Sequence, residues 1–119
     1  MNGKDFVKLC FEEKENTLKQ YFNENDETEV GKSINTLIHN GANRNALYEL
    51  VNLILKENYY TLLLALDGEA SLGGKQVSYK LFDEDMNILN ECGELEEVAY
   101  KYFMEEWFIT IPNLSKYNN

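Results

Sequence analysis

Four acidic or amide side chains have the spacing of a calcium-binding loop. Asp83, Asp85 and Asn87 alternate with other residues, and Glu94 follows at the twelfth position. Oxygen ligands at the first, third, fifth and twelfth positions are the pattern of an EF-hand loop. The sixth position is Ile88, where that loop needs glycine, and the preceding QVSYKLF is typical of a strand. We therefore favour an acidic hairpin turn here and keep a calcium site on these four residues as the alternative.

The segment GEASLGGKQ has the glycines and the lysine of a phosphate-binding loop. The interval from Gly68 to Lys75 is one residue too long for that motif, and Gln76 stands where a hydroxyl is needed to reach magnesium. The segment also leads into a predicted strand, whereas bound phosphate needs a helix N-terminus. Gly73 and Gly74 instead favour a tight turn of the backbone.

Residues that perform nucleophilic or acid–base catalysis are scarce. The chain has one histidine, His39, and two cysteines, Cys10 and Cys92, whose separation suits neither a metal knuckle nor a disulfide framework. A catalytic triad cannot be assembled from one histidine without contacts that the sequence does not indicate. His39 lies at the end of the second predicted helix, where an imidazolium interacts with the helix dipole. We expect a non-enzyme without a cofactor, with reduced thiols, in the cytoplasm.

The final predicted helix, from Glu94 to about Glu106, has more apolar surface than a monomer's core requires. One apolar arc comprises Leu95, Val98, Ala99, Tyr102 and Phe103. At 100° per residue, a second arc of Tyr100, Met104 and Trp107 points elsewhere. Aromatic residues and methionine are enriched at protein interfaces, and glutamates would form a charged rim. The predicted partner-binding residues are Tyr100, Met104, Trp107, Glu97 and Glu105. In the alternative, residues 108–111 or 59–66 cover the second arc.

The charge balance favours some partners over others. Lys and Arg number 11 against 21 for Asp and Glu, which gives a formal net charge of -10. This charge opposes binding to nucleic acid and to anionic membranes, so a protein partner, preferably basic, or a second copy of the chain is expected. The apolar run 62–66 is too short to span a bilayer, and the charged N-terminus does not resemble a signal peptide.

Helical periodicity predicts the first two elements. Residues 4–23 place apolar side chains on one stripe and form an amphipathic helix. Asp26 and Glu29 have the spacing of a capping box, so the second helix is expected to begin there. Asn40 and Gly41 are typical of a helix end and should close it after about three turns.

The next segment is the most apolar of the chain. A third helix is expected after a cap at Asn43 or Asn45. The run YYTLLLAL at 59–66 suits a buried strand or a helix, and we favour a helix that ends at Asp67 and Gly68. The predicted core residues are Leu50, Ile54, Leu63, Leu66, Val98 and Phe103.

Short strands are predicted between the helices. Residues 76–81 alternate apolar and polar, 88–89 can return beside them, and 108–111 can add an edge. Gly93 should break the chain before the last helix. The predicted class is α+β: three to four N-terminal helices, a small antiparallel hairpin or three-stranded sheet, and a C-terminal helix. Residues 1–119 are expected to form one domain, with 113–119 frayed.

Three phrases in the C-terminal half carry a family resemblance. DGEASLGG, YKLFDED and GELEEVAYKYF resemble small, acidic, largely uncharacterised bacterial proteins, some of which are thought to be immunity partners of toxins. The resemblance implies protein binding and transfers no functional residue. The first hypothesis is therefore an acidic protein-binding module, such as an inhibitor of a basic toxin, that acts through its C-terminal helix. The alternative is a calcium-responsive protein that uses the loop 83–94.

Overall fold

The computed structural model describes residues 1–105, whose regular structure is helical. The helices are α1 (Gly3–Tyr21), α2 (Glu29–His39), α3 (Arg44–Leu66) and α4 (Glu94–Ala99), and α4 continues as a π-helical segment, Tyr100–Glu105. A 3-10 turn, Glu91–Gly93, precedes α4, and residues 67–90 follow an irregular path. Trp107, the predicted edge strand 108–111 and the predicted frayed tail 113–119 lie outside the described residues.

Each of the three longer helices begins at a side chain that accepts a hydrogen bond from its first turn. Asn2 caps α1 in a reciprocal box with Asp5, with N···O distances of 2.9 and 3.2 Å. The Thr28 hydroxyl caps α2 by accepting from the Gly31 amide at 3.1 Å. Asn43 caps α3. These side chains satisfy backbone amides that have no partner inside the helix.

The predicted capping box of Asp26 and Glu29 is wrong. Asp26 lies two residues before the cap and accepts a hydrogen bond from the Thr28 hydroxyl, so it orients the capping side chain. That bond is the main reason why the pKa of Asp26 lies below its usual range. A Cβ atom on Gly31 would overlap the Asp26 carboxylate, which explains the glycine in the first turn of α2.

α3 is one continuous helix of 23 residues that includes the apolar segment 59–66. The helical prediction for that segment is confirmed. The helix ends at Asp67 and Gly68 as predicted, and Gly68 has a left-handed φ of 78°. The predicted burial of Leu50 and Ile54 is wrong, because these side chains are 53% and 48% exposed. No helix within residues 1–105 is long and apolar enough to cross a membrane.

The predicted α+β class is wrong, because residues 1–105 contain no strand and no sheet. Only two isolated bridges occur in this part of the chain, one between Leu72 and Lys75 and one between Phe82 and Ile88. The alternating segment 76–81 is exposed along almost its whole length. In place of the predicted hairpin of 76–81 with 88–89, the described chain has one bridge before this segment and one, between Phe82 and Ile88, directly after it.

The side chain of Asn90 occupies the bonding positions that a partner strand would fill. Its Nδ2 donates to the carbonyl oxygens of Tyr79 at 2.6 Å and Leu66 at 3.2 Å, and its Oδ1 accepts from the Leu81 amide at 2.9 Å. The Asn90 amide thus satisfies three backbone groups, one at the end of α3 and two in the exposed segment 76–81. The segment is thereby attached to the end of α3 and does not build a ladder.

The core lies where α4 and the π-helical segment pack against α1 and α3. Its buried members are Val7, Leu63, Leu95, Ala99 and Phe103. The Phe103 ring stacks on Tyr59 with centroids 5.9 Å apart and meets Phe11 edge-on at 5.6 Å. Aromatic pairs of this kind contribute about 0.5–1.5 kcal/mol beyond the burial of their area. Leu66 and Val98 are partly buried against this core.

Two lysines are buried where α1 packs on α3. Lys14 and Lys56 are 1% and 6% exposed. The Lys14 ammonium donates to Glu15 Oε1 at 2.7 Å and lies 5.4 Å from the Phe11 ring centroid. Burial and the nearby charge of Lys14 lower the pKa of Lys56 to about 8, against the attraction of Glu15. Two of the 11 basic side chains are thus withdrawn from the surface, which is more acidic than the composition indicates.

Candidate protein-binding site

An acidic cleft lies between the C-terminal part of α3, the turn that follows it, and the start of α4. The lining residues are Tyr60, Glu69, Gly93, Glu96, Glu97 and Tyr100. The cleft has a volume of about 560 Å³. Two tyrosine rings and three carboxylates therefore share one space, and none of the described lining residues is basic.

A hydrogen bond between Asp67 and Glu96 holds the two walls of the cleft in place. Oδ2 of Asp67 accepts from the Glu96 backbone amide at 2.8 Å. Asp67 is the C-cap of α3, and Glu96 is the third residue of α4. The φ of 71° at Gly93 turns the chain immediately before α4, as the sequence predicts. The end of one helix thereby fixes the start of the next.

The electrostatics of the cleft favour a positive ligand. Burial raises the pKa of Tyr60, and the neighbouring Glu96 and Tyr100 raise it further. Glu97 and Glu69 are exposed at the edges of the cleft. Glutamate carboxylates form charge-assisted hydrogen bonds with lysine and arginine, and tyrosine rings attract these cations by cation–π interaction, so the lining residue types suit a basic side chain.

Two of the five predicted partner-binding residues line this cleft. Tyr100 is 49% exposed, and Glu97 is exposed on the preceding turn. Met104 is partly buried and Glu105 is exposed, and neither lines the cleft. Trp107 lies outside the described residues. Between Tyr100 and Glu105 the winding is π-helical, so the spacing of 100° per residue that placed Tyr100 and Met104 on the second arc does not hold there.

Sequence reasoning missed Tyr60 and Glu69 as site residues. Tyr60 belongs to the apolar run 59–66, for which only a helix and two core leucines were predicted, and it is partly buried. Glu69 follows the helix-ending residues Asp67 and Gly68 and has no sequence motif around it. The available signal was a tyrosine, a residue type enriched at interfaces, less than three turns before a glycine-marked helix end.

The residues of the alternative calcium site form a turn. Asp83 Oδ1 accepts from the amides of Asp85 and Asn87 at 3.0 and 2.9 Å, and Oδ2 accepts from Asn87 Nδ2 at 3.0 Å. The bonds from Asn87 are the main reason why the pKa of Asp83 lies below its usual range. Glu94 packs beside Gly3 at the start of α1. Over residues 1–105, no three His, Cys, Asp or Glu side chains are grouped to hold a metal ion.

The other residues that were considered for catalysis or phosphate binding have contacts or conformations that favour a structural role. His39 is the last residue of α2, and its Nδ1 lies 2.8 Å from the Asn35 carbonyl oxygen. Burial raises the pKa of the Cys10 thiol, whereas a nucleophilic cysteine needs a lowered pKa. Gly73 and Gly74 have φ values of 60° and 81° and form the tight turn expected of them.

Comparison of the chain with protein-family models, with curated proteins and with solved structures gives no match. The acidic cleft unites aromatic faces and carboxylates from both sides of the irregular segment 67–90.

Proposed function

We propose that the protein is a non-enzymatic binding module whose acidic cleft receives a lysine or arginine side chain of a basic protein. The observation that carries this proposal is the convergence of Tyr60 and Tyr100 with three glutamates on one cleft. Carboxylates form strong charge-assisted hydrogen bonds with cations, and tyrosine faces attract them. Tyrosine is also among the residues that contribute most to binding energy at interfaces.

The charge of the whole chain supports a basic partner. The formal net charge is -10, and two lysines are buried away from the surface. A field of this sign accelerates the approach of a positively charged protein and repels a second copy of the chain. A basic protein is therefore favoured over a homodimer.

The family resemblance suggests which kind of basic protein the partner is. On that basis the partner is a basic toxin, the module is its inhibitor, and the setting is the cytoplasm. Contact of the partner with Met104, Glu105 and Trp107, which follow Tyr100 in the sequence, stays part of the proposal. The direct test is to co-express the protein with a basic protein encoded by a neighbouring gene and to measure both complex formation and growth.

A titration followed by NMR tests the cleft itself. The probe is a short lysine-containing peptide, and its control is the same peptide with norleucine at the lysine. Glu97→Gln is expected to weaken binding about tenfold, since a charge-assisted hydrogen bond contributes about 1.5–3 kcal/mol. The matched control is Glu27→Gln, which removes the same charge from an exposed residue outside the cleft. Equal weakening by both variants, or equal binding of the norleucine peptide, would contradict the proposal.

A further inference from the structure

A second cleft lies between the end of α1, α2 and the start of α3. Its volume is about 270 Å³. Its apolar wall includes Phe22, Ile34 and Ile38, and Asn35, His39 and Arg44 are among its polar residues. His39 and Arg44 are the only histidine and the only arginine of the chain. In a protein with so few cations, the presence of both in one cleft suggests a ligand of the opposite sign to that of the acidic cleft.

The guanidinium of Arg44 is held in place without a carboxylate. Its Cζ lies 5.4 Å from the centroid of the Phe22 ring, and its Nη2 lies 3.5 Å from the Phe22 carbonyl oxygen. The Phe22 ring is itself braced edge-on by Tyr48, with centroids 5.0 Å apart. No carboxylate within residues 1–105 forms an ion pair with Arg44, although the chain has 21 acidic side chains. The fork of the guanidinium therefore keeps donors available for an anion.

His39 adds a second polar group of defined orientation. The contact of its Nδ1 with the Asn35 carbonyl oxygen, at 2.8 Å, requires a proton on Nδ1. Nε2 is then the nitrogen that remains for a ligand, as an acceptor in the neutral ring and as a donor in the imidazolium. Glu24 also lines the cleft and offsets the charge of Arg44, which favours a ligand with one anionic group on an apolar body.

We infer that this cleft binds a carboxylate or phosphate group carried on a small apolar stem. The guanidinium of Arg44 pairs with the anion, and the imidazolium form of His39 donates to the anion through Nε2–H. The stem packs against Phe22, Ile34 and Ile38. The volume of about 270 Å³ is slightly below the range of about 300–1,000 Å³ that is usual for drug-sized ligands, so the ligand is small. This inference is independent of the function proposed for the acidic cleft.

Chemical-shift titrations of the full chain test the inference with defined probes. Phenyl phosphate and sodium benzoate represent the two anions, and benzyl alcohol is the neutral control of similar size. The methyl signals of Ile34 and Ile38 are expected to shift with either anion and to remain nearly unchanged with benzyl alcohol. The relative affinities of the two anions show whether the site prefers phosphate or carboxylate.

Two variants distinguish binding of the anion in the cleft from an effect of the overall charge of the chain. Arg44→Gln is expected to weaken binding of the preferred anion at least tenfold, whereas Lys32→Gln, the same charge change on exposed α2 surface outside the cleft, leaves it within about twofold. Arg44→Lys keeps the charge and loses the planar fork, so intermediate affinity supports pairing by the guanidinium. Circular dichroism verifies folding, and if Arg44→Gln fails to fold, Arg44→Lys and His39→Gln replace it. Equal effects of Arg44→Gln and Lys32→Gln, shifts remote from the two isoleucines, or equal binding of benzyl alcohol would overturn the inference.

Discussion

The carboxylate of Asp67 and the backbone amide of Glu96 are joined by a hydrogen bond of 2.8 Å, although 29 residues separate them in the chain. Asp67 ends α3 and at the same time supplies an acceptor to the first turn of α4. Its other oxygen, Oδ1, is buried and has no hydrogen-bond partner among residues 1–105. This contact thus adds to the core packing that places the acidic wall of the cleft.

Removal of this contact should destabilise the fold. Asp67→Ala is expected to lower the free energy of unfolding by about 1–2 kcal/mol, the usual effect of losing a side chain that caps a helix. Asp67→Asn keeps an acceptor oxygen and loses only the charge, so it should cost less. Urea denaturation measures both. The control is Glu69→Ala, two residues away and exposed, for which a change within about 0.5 kcal/mol is expected. Equal losses for Asp67→Ala and Glu69→Ala would contradict this role.

Asn90 should be the most sensitive polar residue of the irregular segment. Asn90→Ala removes three hydrogen bonds, each with a net contribution of about 1 kcal/mol, and is expected to cost about 2–4 kcal/mol. Asn90→Asp would place a carboxylate oxygen against the carbonyls of Tyr79 and Leu66 and should be at least as damaging at pH 7. Thermal unfolding with Asn58→Ala, an exposed change on α3, as the control measures the difference. A near-neutral Asn90→Ala would show that a strand or water can replace the amide.

Truncation of leucines on opposite faces of α3 should have unequal effects. Leu63 is 2% exposed and belongs to the core, so Leu63→Ala is expected to cost about 2–5 kcal/mol through lost transfer energy and a residual cavity. Leu50 is 53% exposed, and Leu50→Ala should cost less than about 1 kcal/mol. Denaturant titrations of the two variants test this order. A reversed order would mean that α3 is rotated about its axis relative to the fold described above.

The buried Lys56 should make stability depend on pH in the alkaline range. Its pKa of about 8 in the fold lies below the ordinary lysine value of about 10.4, so the unfolded chain binds more protons between these values. The free energy of unfolding should therefore rise as the pH increases from about 8 toward 10. Burial raises the pKa of Tyr59 and Tyr60, and tyrosines of this kind reduce stability above about pH 10. Burial likewise raises the pKa of the Cys10 thiol, which reduces stability above about pH 8.5, so the contribution of Lys56 is best measured over about pH 7.5–8.5.

A comparison of two lysine variants isolates this contribution. Lys56→Met should lose the rise in stability over that range. Lys8→Met, at an exposed residue of α1, should retain it. Denaturation curves at several pH values provide the measurement, and parallel profiles for the wild type and Lys56→Met would refute the assignment.

The turn at Asp83 offers a test of the calcium alternative. Asp83→Ala should lower the unfolding midpoint, since the carboxylate accepts three hydrogen bonds, whereas Asp85→Ala should change it little. Addition of calcium or of EDTA should leave the wild-type midpoint unchanged. A calorimetric calcium-binding isotherm for the wild type that disappears in Glu94→Gln would instead support a calcium site in the loop 83–94.

Local backbone signals made the helix ends predictable from the sequence. Gly41, Gly68 and Gly93 have φ values of 101°, 78° and 71°, conformations that favour glycine for steric reasons. The hairpin was not predictable in the same way. The alternation of residues 76–81 indicates an extended segment, but it does not tell whether a strand or a side chain such as Asn90 satisfies the backbone. The apolar stripe of α3 likewise identifies a face without identifying what covers it, so Leu50 was misplaced.

The candidate site was only half predictable, because its walls come from distant parts of the chain. Tyr100 and Glu97 belong to one helix, whose excess of aromatic and acidic residues is visible in the sequence. Tyr60 and Glu69 reach the same cleft through tertiary contacts, the core packing of α4 on α3 and the hydrogen bond of Asp67, which no local pattern indicates. The π-helical winding after Ala99 also changed the directions of the later side chains.

α3 contributes residues to both clefts, for which ligands of opposite charge are proposed. Arg44, the first residue of α3, lines the cleft beside α1 and α2, and Tyr60 lines the acidic cleft. Their separation of sixteen residues along one helix corresponds to about 24 Å at 1.5 Å per residue. At about 100° per residue the same interval turns the helix by about 160° beyond four full turns, so the two residues point to nearly opposite sides of α3 and each cleft can be filled independently of the other.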